Sequence, residues 1–299
     1  MNRKKLYLIA AILTCGLTLT SCSNDDRPSG GHAQGDTPAQ PSQQKRLSQK
    51  TTYVRAGEGY MKYEANKCTY DNQGRLKEWK LFTCGDDGEF LKTWAEFSYS
   101  DSQVRTIVRK FPTIADSPVI VDESYYDMDS EGRIVKETSY SYSDGKSRPA
   151  DPNVYMTFEY DGQGHLIRHS YDNNFDMLYE WQGDNLHKVT TYNEQGVAML
   201  VRTYEPSDVP AEHVIPIDLI NCYYWLFASG FFGKPTPFLP ASVTNDSYSD
   251  GGTLVSTLKN QYTYETTDGL VTTIFETGET QMHSLGISSK REFKSIVEW

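Results

Sequence analysis

The sequence contains few of the residues on which enzyme and metal sites are most often built. Only 5 cysteines and 6 histidines occur among 299 residues. No Gly-x-Ser-x-Gly, His-Glu-x-x-His or dinucleotide glycine motif is present, and Gly233-Lys234 is followed by Pro235 instead of the Ser or Thr of a phosphate loop. These absences predict a protein without enzymatic activity, metal or cofactor. A hydrolase with unidentified acidic residues stays an alternative, because a catalytic carboxylate pair is recognised only by its separation in space.

Positive charge is also in short supply. Lys and Arg number 29 against 40 Asp and Glu, so the formal net charge is −11. An acidic surface repels phosphate backbones, which argues against nucleic acid as a partner.

The N-terminus has the two parts of a secretory signal. A cationic start, Arg3-Lys4-Lys5, precedes an apolar run over residues 6–19 that is short for a transmembrane helix. The segment Leu19-Thr20-Ser21-Cys22 that follows resembles the bacterial lipobox. The resemblance implies that residues 1–21 are removed and that Cys22 carries diacylglycerol and usually an acylated amine, which would anchor the protein stably in a membrane. The alternatives are an ordinary signal peptide with a chance cysteine and an uncleaved anchor.

Residues 22–50 are predicted to form a lipidated flexible linker, because they contain almost no apolar residues and are rich in Ser, Gly, Pro, Gln and Asp. Asp25-Asp26, close after Cys22, resemble the surface-export signal of Bacteroidetes lipoproteins. The resemblance implies an outer-membrane protein on the cell surface. The periplasmic face of the outer membrane is the alternative location.

Three cysteines remain once Cys15 leaves with the signal and Cys22 is lipidated. They are Cys68, Cys84 and Cys222. A disulfide between Cys68 and Cys84 and a set of three unpaired thiols are both open in an oxidising compartment.

An internal repeat dominates residues 51–299, which we predict to be one domain. An aromatic residue, Asp, a Gly three residues later, a polar residue and Leu recur in 70–76 and 160–166. The segment 192–196 repeats the first half, and Tyr126-Asp127 to Gly132-Arg133-Ile134 has the same pattern with a longer loop. Weaker copies begin at Tyr99, Trp181 and Tyr264.

Turn chemistry explains this pattern. Asp or Asn at the first turn position caps backbone NH groups two residues on, and Gly at the fourth position suits a positive φ. The flanking segments are rich in Tyr, Thr, Val and Phe, which favour strands. The fold class predicted is all-β, an antiparallel meander of hairpins.

The repeat resembles the YD-repeat proteins of bacterial surfaces and toxin shells. It is more similar still to a family of Bacteroidetes lipoproteins of unknown function built from the same hairpins. That resemblance implies a single sheet that is curved or barrel-like, as in a porin, and that holds a helical insert, here at about residues 208–242. No catalytic residues are established for that family, so the resemblance assigns none to this sequence.

The insert is predicted to contain a short buried helix, because Pro216 suits its first turn and Gly230 its end. The residues between them leave little polar surface. One interpretation is a hydrophobic plug inside the sheet. The other is a pocket wall on which Tyr223, Tyr224 and Trp225 contact a ligand.

Three further patterns have structural explanations. Asp127, Asp129, Glu131 and Gly132 resemble the start of a calcium loop, but the twelfth position is Thr138 and a repeat turn explains them as well. His165 and His169 fall on a strand, about 13 Å apart, which is too far to share an ion. Trp299 is predicted to belong to the last strand of the sheet, although outer-membrane barrels also end on aromatic residues.

The function predicted is that of a lipid-anchored envelope or cell-surface protein, of a non-enzymatic binding or display type. Its partners are the membrane, through Cys22, and a glycan or protein that contacts the many tyrosines. The alternative in another class is an envelope carrier that holds an apolar ligand inside the sheet.

Overall fold

The fold is a closed antiparallel barrel of 16 strands, in which each strand pairs with the next along the chain and β1 closes against β16. The computed structural model describes residues 45–85, 87–112, 117–171, 175–211, 225–226 and 229–299. The prediction of an all-β meander in a single barrel-like sheet is confirmed. Cys22 and the predicted signal peptide lie outside the described residues, as does most of the predicted linker.

The strands of the barrel have the following bounds: β1 Gln49–Ala56, β2 Gly59–Tyr70, β3 Leu76–Gly85, β4 Gly88–Tyr99, β5 Gln103–Lys110, β6 Ile120–Met128, β7 Ile134–Ser143, β8 Val154–Tyr160, β9 Leu166–Tyr171, β10 Phe175–Gln182, β11 Asn185–Tyr192, β12 Ala198–Pro210, β13 Phe238–Tyr248, β14 Leu254–Thr267, β15 Leu270–Met282 and β16 Ile287–Glu298. Trp225 and Leu226 are helical. Within the described residues, no helix is long and apolar enough to cross a bilayer.

Side chains alternate between an inner face that forms the core and an outer face that carries charge. On β5, Val104, Thr106 and Val108 are buried, while the residues between them are partly exposed. The outer face pairs charges across strands, for example Arg105 with Glu123 at 2.6 Å. This alternation follows from the two-residue period of a strand.

The repeat turns are built as the sequence predicts. Asp71 Oδ1 accepts hydrogen bonds from the backbone NH groups of Gln73 and Arg75, and its Oδ2 accepts one from Arg75 Nε at 2.8 Å. The turn glycines of three copies have φ between 78° and 89°, where a side chain is disfavoured. Burial acts to raise the pKa of Asp71, but the hydrogen bonds from Arg75 and Gln73 outweigh it and hold that pKa below its ordinary value.

An aromatic residue close to the turn ties several of the hairpins to the preceding one. Its hydroxyl or indole NH donates to a backbone carbonyl 15 to 28 residues earlier in the chain, at 2.5–2.8 Å. The donors are Tyr70, Tyr99, Tyr160, Trp181, Tyr264 and, from the far end of the chain, Trp299, which donates to Val271.

In the repeats at 71–75 and 129–133, the arginine that follows the turn glycine completes the repeat, because it lies over the next aromatic ring. Arg75 covers Tyr99 at 4.4 Å and Arg133 covers Tyr160 at 4.7 Å. Arg46 lies 5.8 Å from the Tyr70 ring, and Leu47 is 1% exposed. Residues 46–47 therefore act as half a repeat, and the folded part of the chain includes the last residues of the segment predicted as linker.

The position of one repeat turn along the chain differs from the one predicted from the sequence. The turn near residue 130 is capped by Asp129, whose carboxylate accepts from the backbone NH groups of Glu131 and Arg133. Met128 therefore holds the position that Tyr70 holds in its own repeat. Tyr126-Asp127 does not start a longer loop, and a methionine has replaced the aromatic residue.

The two described strand cysteines are free thiols. Cys68 pairs across the sheet with Trp79, which lies five residues from Cys84 in β3. Five strand residues span about 16 Å, and the odd separation places the two side chains on opposite faces, so a Cys68–Cys84 disulfide cannot form. Cys222 lies outside the described residues.

Candidate binding site

The barrel has two different ends. The turns at 71–75, 129–133 and 161–165 lie together at one end, which we call the repeat end. There the insert closes the barrel: the backbone NH of Ile134 donates to Phe231 O at 2.7 Å, and that of Lys234 donates to Gly164 O at 2.8 Å.

The described part of the insert behaves as a plug. Trp225, Leu226 and Phe232 are each at most 4% exposed and belong to the main core cluster. The Phe232 ring packs 4.9 Å from Phe158, and the Trp225 ring lies 6.2 Å from Tyr70.

The sequence-predicted ligand contacts fall in this insert. Trp225 contacts protein in the core, whereas Tyr223 and Tyr224 lie outside the described residues. The role of the three residues in ligand binding stays a prediction.

The opposite end has an uneven rim. Strands β14, β15, β16 and β2 have 12 to 14 residues, whereas β8, β9 and β10 have 6 to 8. At about 3.3 Å per residue, the strands of one wall are about 40 Å long and those of the other are about half as long. We call the tall part the lip and define it as residues 53–63 and 278–293, with 83–85 and 87–90 beside them.

The lip exposes apolar side chains where it rises above the core. Met61 is 58% exposed, Tyr63 49%, Phe90 54% and Ile287 53%. Directly opposed residues of antiparallel strands point to the same face. Opposed pairs connect Met61 to Val54, Val54 to Phe293, Phe293 to Glu276 and Glu276 to the core residue Tyr262. The exposed side chain of Met61 therefore points toward the inside of the barrel.

The same reasoning places the other exposed residues of the lip. Phe90 opposes Thr83, and Thr83 opposes Glu64 on the inner face. Tyr63 lies at a register shift in β2, and its ring centroid is 6.0 Å from that of Phe293. The inner face of the lip is thus an aromatic and apolar surface that faces the mouth of the barrel.

Polar groups converge at the foot of this surface. Gly278 opposes Arg291 on one side and Asn260 on the other. A Cβ atom on Gly278 would lie 2.9 Å from Arg291 Nε and 3.0 Å from Asn260 Oδ1. The missing side chain therefore lets a guanidinium and an amide approach each other over the strand.

Glu276 adds a carboxyl group beside this pair. Burial raises the pKa of Glu276, while the nearby charges of Lys50 and Arg291 lower it and that of Glu64 raises it. Two cations and two carboxyl groups therefore act on one another at the foot of the lip.

The residues whose sequence patterns resemble metal sites form structural contacts with other protein groups. Asp129 binds Arg133 at 2.8 Å, and Asp127 accepts from Gln103. His165 is stacked on Trp181 with ring centroids 4.4 Å apart, and its Nδ1 lies 3.1 Å from Asp161. Within the described residues, no three His, Cys, Asp or Glu side chains are placed to hold a metal ion.

His169 lies apart from His165, on the inner face between the two ends of the barrel. It is 4% exposed, and its Nδ1 is 3.0 Å from the Tyr179 hydroxyl. Burial lowers the pKa of His169 to about 4.

The lip residues were missed by sequence reasoning, which searched the insert instead. Arg291, Phe293 and Glu276 belong to alternating strands without a motif. The signal in the sequence was strand length. β15 and β16 each run for at least 12 residues without a turn, whereas β8, β9 and β10 have 6 to 8. The outer third of each long strand therefore extends beyond the core.

Solved structures resemble this barrel. A porin-like protein from Bacteroides uniformis is 14% identical with a TM-score of 0.54, over 84% of this chain and 98% of that one. This chain has a porin-like fold. A porin-like protein from Bacteroides vulgatus is 12% identical with a TM-score of 0.47, over 85% and 98% of the two chains, which is too low a score to add to the argument. No protein-family model and no curated protein matches the sequence.

Proposed function

We propose that this chain is a non-enzymatic envelope lipoprotein, anchored through Cys22, that binds a ligand at the lip of its barrel. The observation that carries the proposal is the separation of the two ends. The chain enters β1 from residues 45–48, next to the C-terminal end of β16 and the repeat turns. A tether on Cys22 therefore holds the repeat end, and the lip points away from it.

The outer wall supports a lipid anchor in preference to insertion of the barrel in a bilayer. Cross-strand ion pairs lie along it, such as Lys188 with Glu180 at 2.6 Å and Arg168 with Asp176 at 2.8 Å. Such pairs contribute little to stability in water, but charged side chains on a lipid-facing wall are costly. A wall of this kind suits a barrel in water that is held to the membrane by acyl chains.

The interior offers little support for the alternative of an apolar-ligand carrier. One cavity among the described residues, near the repeat end, has a volume of about 10 Å³ and is lined by Leu186, Tyr204 and Phe238 among others. A space of that size holds about one water molecule. The plug residues Trp225 and Phe232 occupy the apolar part of the barrel instead.

Anchoring and orientation are tested on whole cells. Metabolic labelling with a radioactive fatty acid should mark the wild-type protein and not the Cys22→Ala variant, while Cys15→Ala keeps the label. Protease added to intact cells should then digest the protein, as expected for a surface location. Unlabelled wild-type protein would contradict the anchor, and protection until lysis would place the barrel on the periplasmic side.

Binding at the lip is tested with the full-length acylated protein in mild detergent. Variants Phe90→Ala and Tyr63→Ala should lose ligand binding, and Phe238→Ala, at the repeat end and 36% exposed, should retain it. Cleavage of a bound oligosaccharide that Glu276→Gln abolishes would instead establish a hydrolase.

A further inference from the structure

We propose that the inner face of the lip is a binding site for a neutral glycan. One sugar ring stacks on Phe293 and Tyr63, and its hydroxyl groups bind Arg291, Asn260 and Glu276. The inference rests on the proposed binding function of the lip and names the class of ligand.

The aromatic part of the site has the form that sugar stacking needs. Tyr63 and Phe293 are tilted by 50° to each other, so they form a shallow corner instead of a flat stack. The faces of aromatic rings carry partial negative charge and attract the polarised CH groups on one side of a sugar ring. Rigid aromatic side chains also lose little conformational entropy on binding.

The amide of Asn260, in the polar part of the site, lacks hydrogen-bond partners among the described residues. Asn260 is 0% exposed, and neither its amide oxygen nor its amide nitrogen has a partner among the described residues. A buried amide without partners destabilises the folded protein, so such a group calls for a specific partner. A hydroxyl group satisfies both atoms, because it donates to the oxygen and accepts from the nitrogen.

Arg291 controls access to this amide. Its side chain is exposed, lies 5.4 Å over the Phe293 ring and forms no ion pair within the described residues. The space over Gly278 is where Arg291 and Asn260 meet. Exposed side chains change rotamer within nanoseconds, so Arg291 can swing outward to admit a hydroxyl and then donate to the neighbouring one.

The balance of charge selects a neutral ligand. The cations Arg291 and Lys50 and the carboxyl group of Glu64 lie on the same inner face as Glu276 and are close enough to act on it. A phosphate or a uronic acid would gain from the cations but be repelled by the carboxylates. Sugar hydroxyls bind both kinds of group, since carboxylates accept their hydrogen bonds and guanidinium groups donate to them.

The experiment uses the full-length acylated protein in mild detergent. The probes are neutral oligosaccharides of glucose, mannose, galactose and N-acetylglucosamine, beside oligosaccharides that contain uronic acid. Calorimetric titration should show binding of at least one neutral series. Phe293→Ala and Arg291→Ala should each weaken it by about tenfold or more, the effect of truncating a central contact.

Two further variants separate effects on ligand binding at the site from effects on the stability of the protein. Phe275→Ala removes an aromatic ring beside Glu276 but on the outer face, where the ring is covered by Lys294, and should change binding less than twofold. Gly278→Ala places a methyl group between Arg291 and Asn260 and should weaken binding. The melting temperature of each variant, compared with wild type, identifies those that fail to fold.

The possible outcomes distinguish failure of the glycan site from failure of the proposed binding function of the lip. Preference for uronic acids, neutral binding that the lip variants do not alter, or no binding to any probe would each overturn the glycan site. Capture of a cell-surface protein that Phe90→Ala abolishes would replace the glycan with a protein and keep the lip as a binding face. If lip variants alter neither glycan nor protein binding, both proposals fail.

Discussion

The repeat end and the lip are built from the same hairpins but use them in opposite ways. At the repeat end, Asp71 and its equivalents cap the turns, and Tyr99 and its equivalents bind the preceding hairpin. The plug then fills the space inside. At the lip, strands of the same sheet continue past the core, and Tyr63 and Phe90 remain half exposed.

Turn chemistry alone does not produce this difference. Asn193 caps its turn like Asp71, with bonds from the NH groups of Gln195 and Val197, yet this turn lies at the end opposite the repeat turns. The feature particular to the repeat end is the hydrogen bond from an aromatic residue to the preceding hairpin, since a cation also lies over an aromatic ring at the lip, where Arg291 covers Phe293. Stability is thus concentrated at one end, which leaves the other free to bind.

The largest expected effect concerns the plug. Phe232→Ala should lower the free energy of unfolding by about 3–5 kcal/mol, because it removes a fully buried ring and leaves a cavity. Phe90→Ala, the matched change at the lip, should alter it by less than about 0.5 kcal/mol. Urea unfolding of both variants measures the contrast. A small loss for Phe232→Ala would mean that the insert does not close the barrel.

A second prediction tests how far the sealed core extends toward the lip. His169 has a pKa of about 4 in the folded protein, below the ordinary value of 6.5. The unfolded chain therefore binds a proton between these values that the folded chain does not, and His169 makes the protein less stable as pH falls from 6.5 to 4. The loss should reach about 3 kcal/mol and be absent in His169→Gln.

The comparison with His169→Gln isolates this effect. Burial raises the pKa of Glu137, whose contribution to stability falls as pH rises, but both proteins share it. Parallel stability curves for the two proteins between pH 7 and 4 would mean that water reaches His169, and that the core ends below it.

A third, smaller effect tests the aromatic bond that distinguishes the repeat end. Tyr99→Phe keeps the ring and removes the hydroxyl that donates to Leu76 O at 2.8 Å. The variant should lose about 1–2 kcal/mol of unfolding free energy, since a buried carbonyl loses its partner. Tyr63→Phe at the lip should be neutral. Equal effects in the two variants would remove the distinction between the ends.

The smallest effect is expected at the tip of the lip. Ile287→Ser should change the free energy of unfolding by less than about 0.5 kcal/mol, because the side chain is already 53% exposed. Thermal unfolding provides the measurement, with Ile134→Ser, a fully buried position, as the destabilised control. A large loss for Ile287→Ser would show that the lip is packed against another part of the chain.

The local structure of this protein follows from short stretches of its sequence. Asp, Gly and Arg at fixed spacing specify a capped turn wherever they occur, because their hydrogen bonds lie within five residues. Alternating Tyr, Thr and Val specify the strands beside it. Those local rules were enough for the all-β meander, and they predicted the turns at 71–75 and 161–165.

Other features depend on contacts between residues that are far apart in the chain, so no short segment of the sequence predicts them. The barrel closes where β1 pairs with β16, and these strands lie at opposite ends of the described chain. The register at Met128 depends on which aspartate caps its turn, and both Asp127 and Asp129 suit that position locally. The lip site joins Tyr63 of β2 to Phe293 of β16, more than two hundred residues apart, and it exists only because tall strands stand beside short ones.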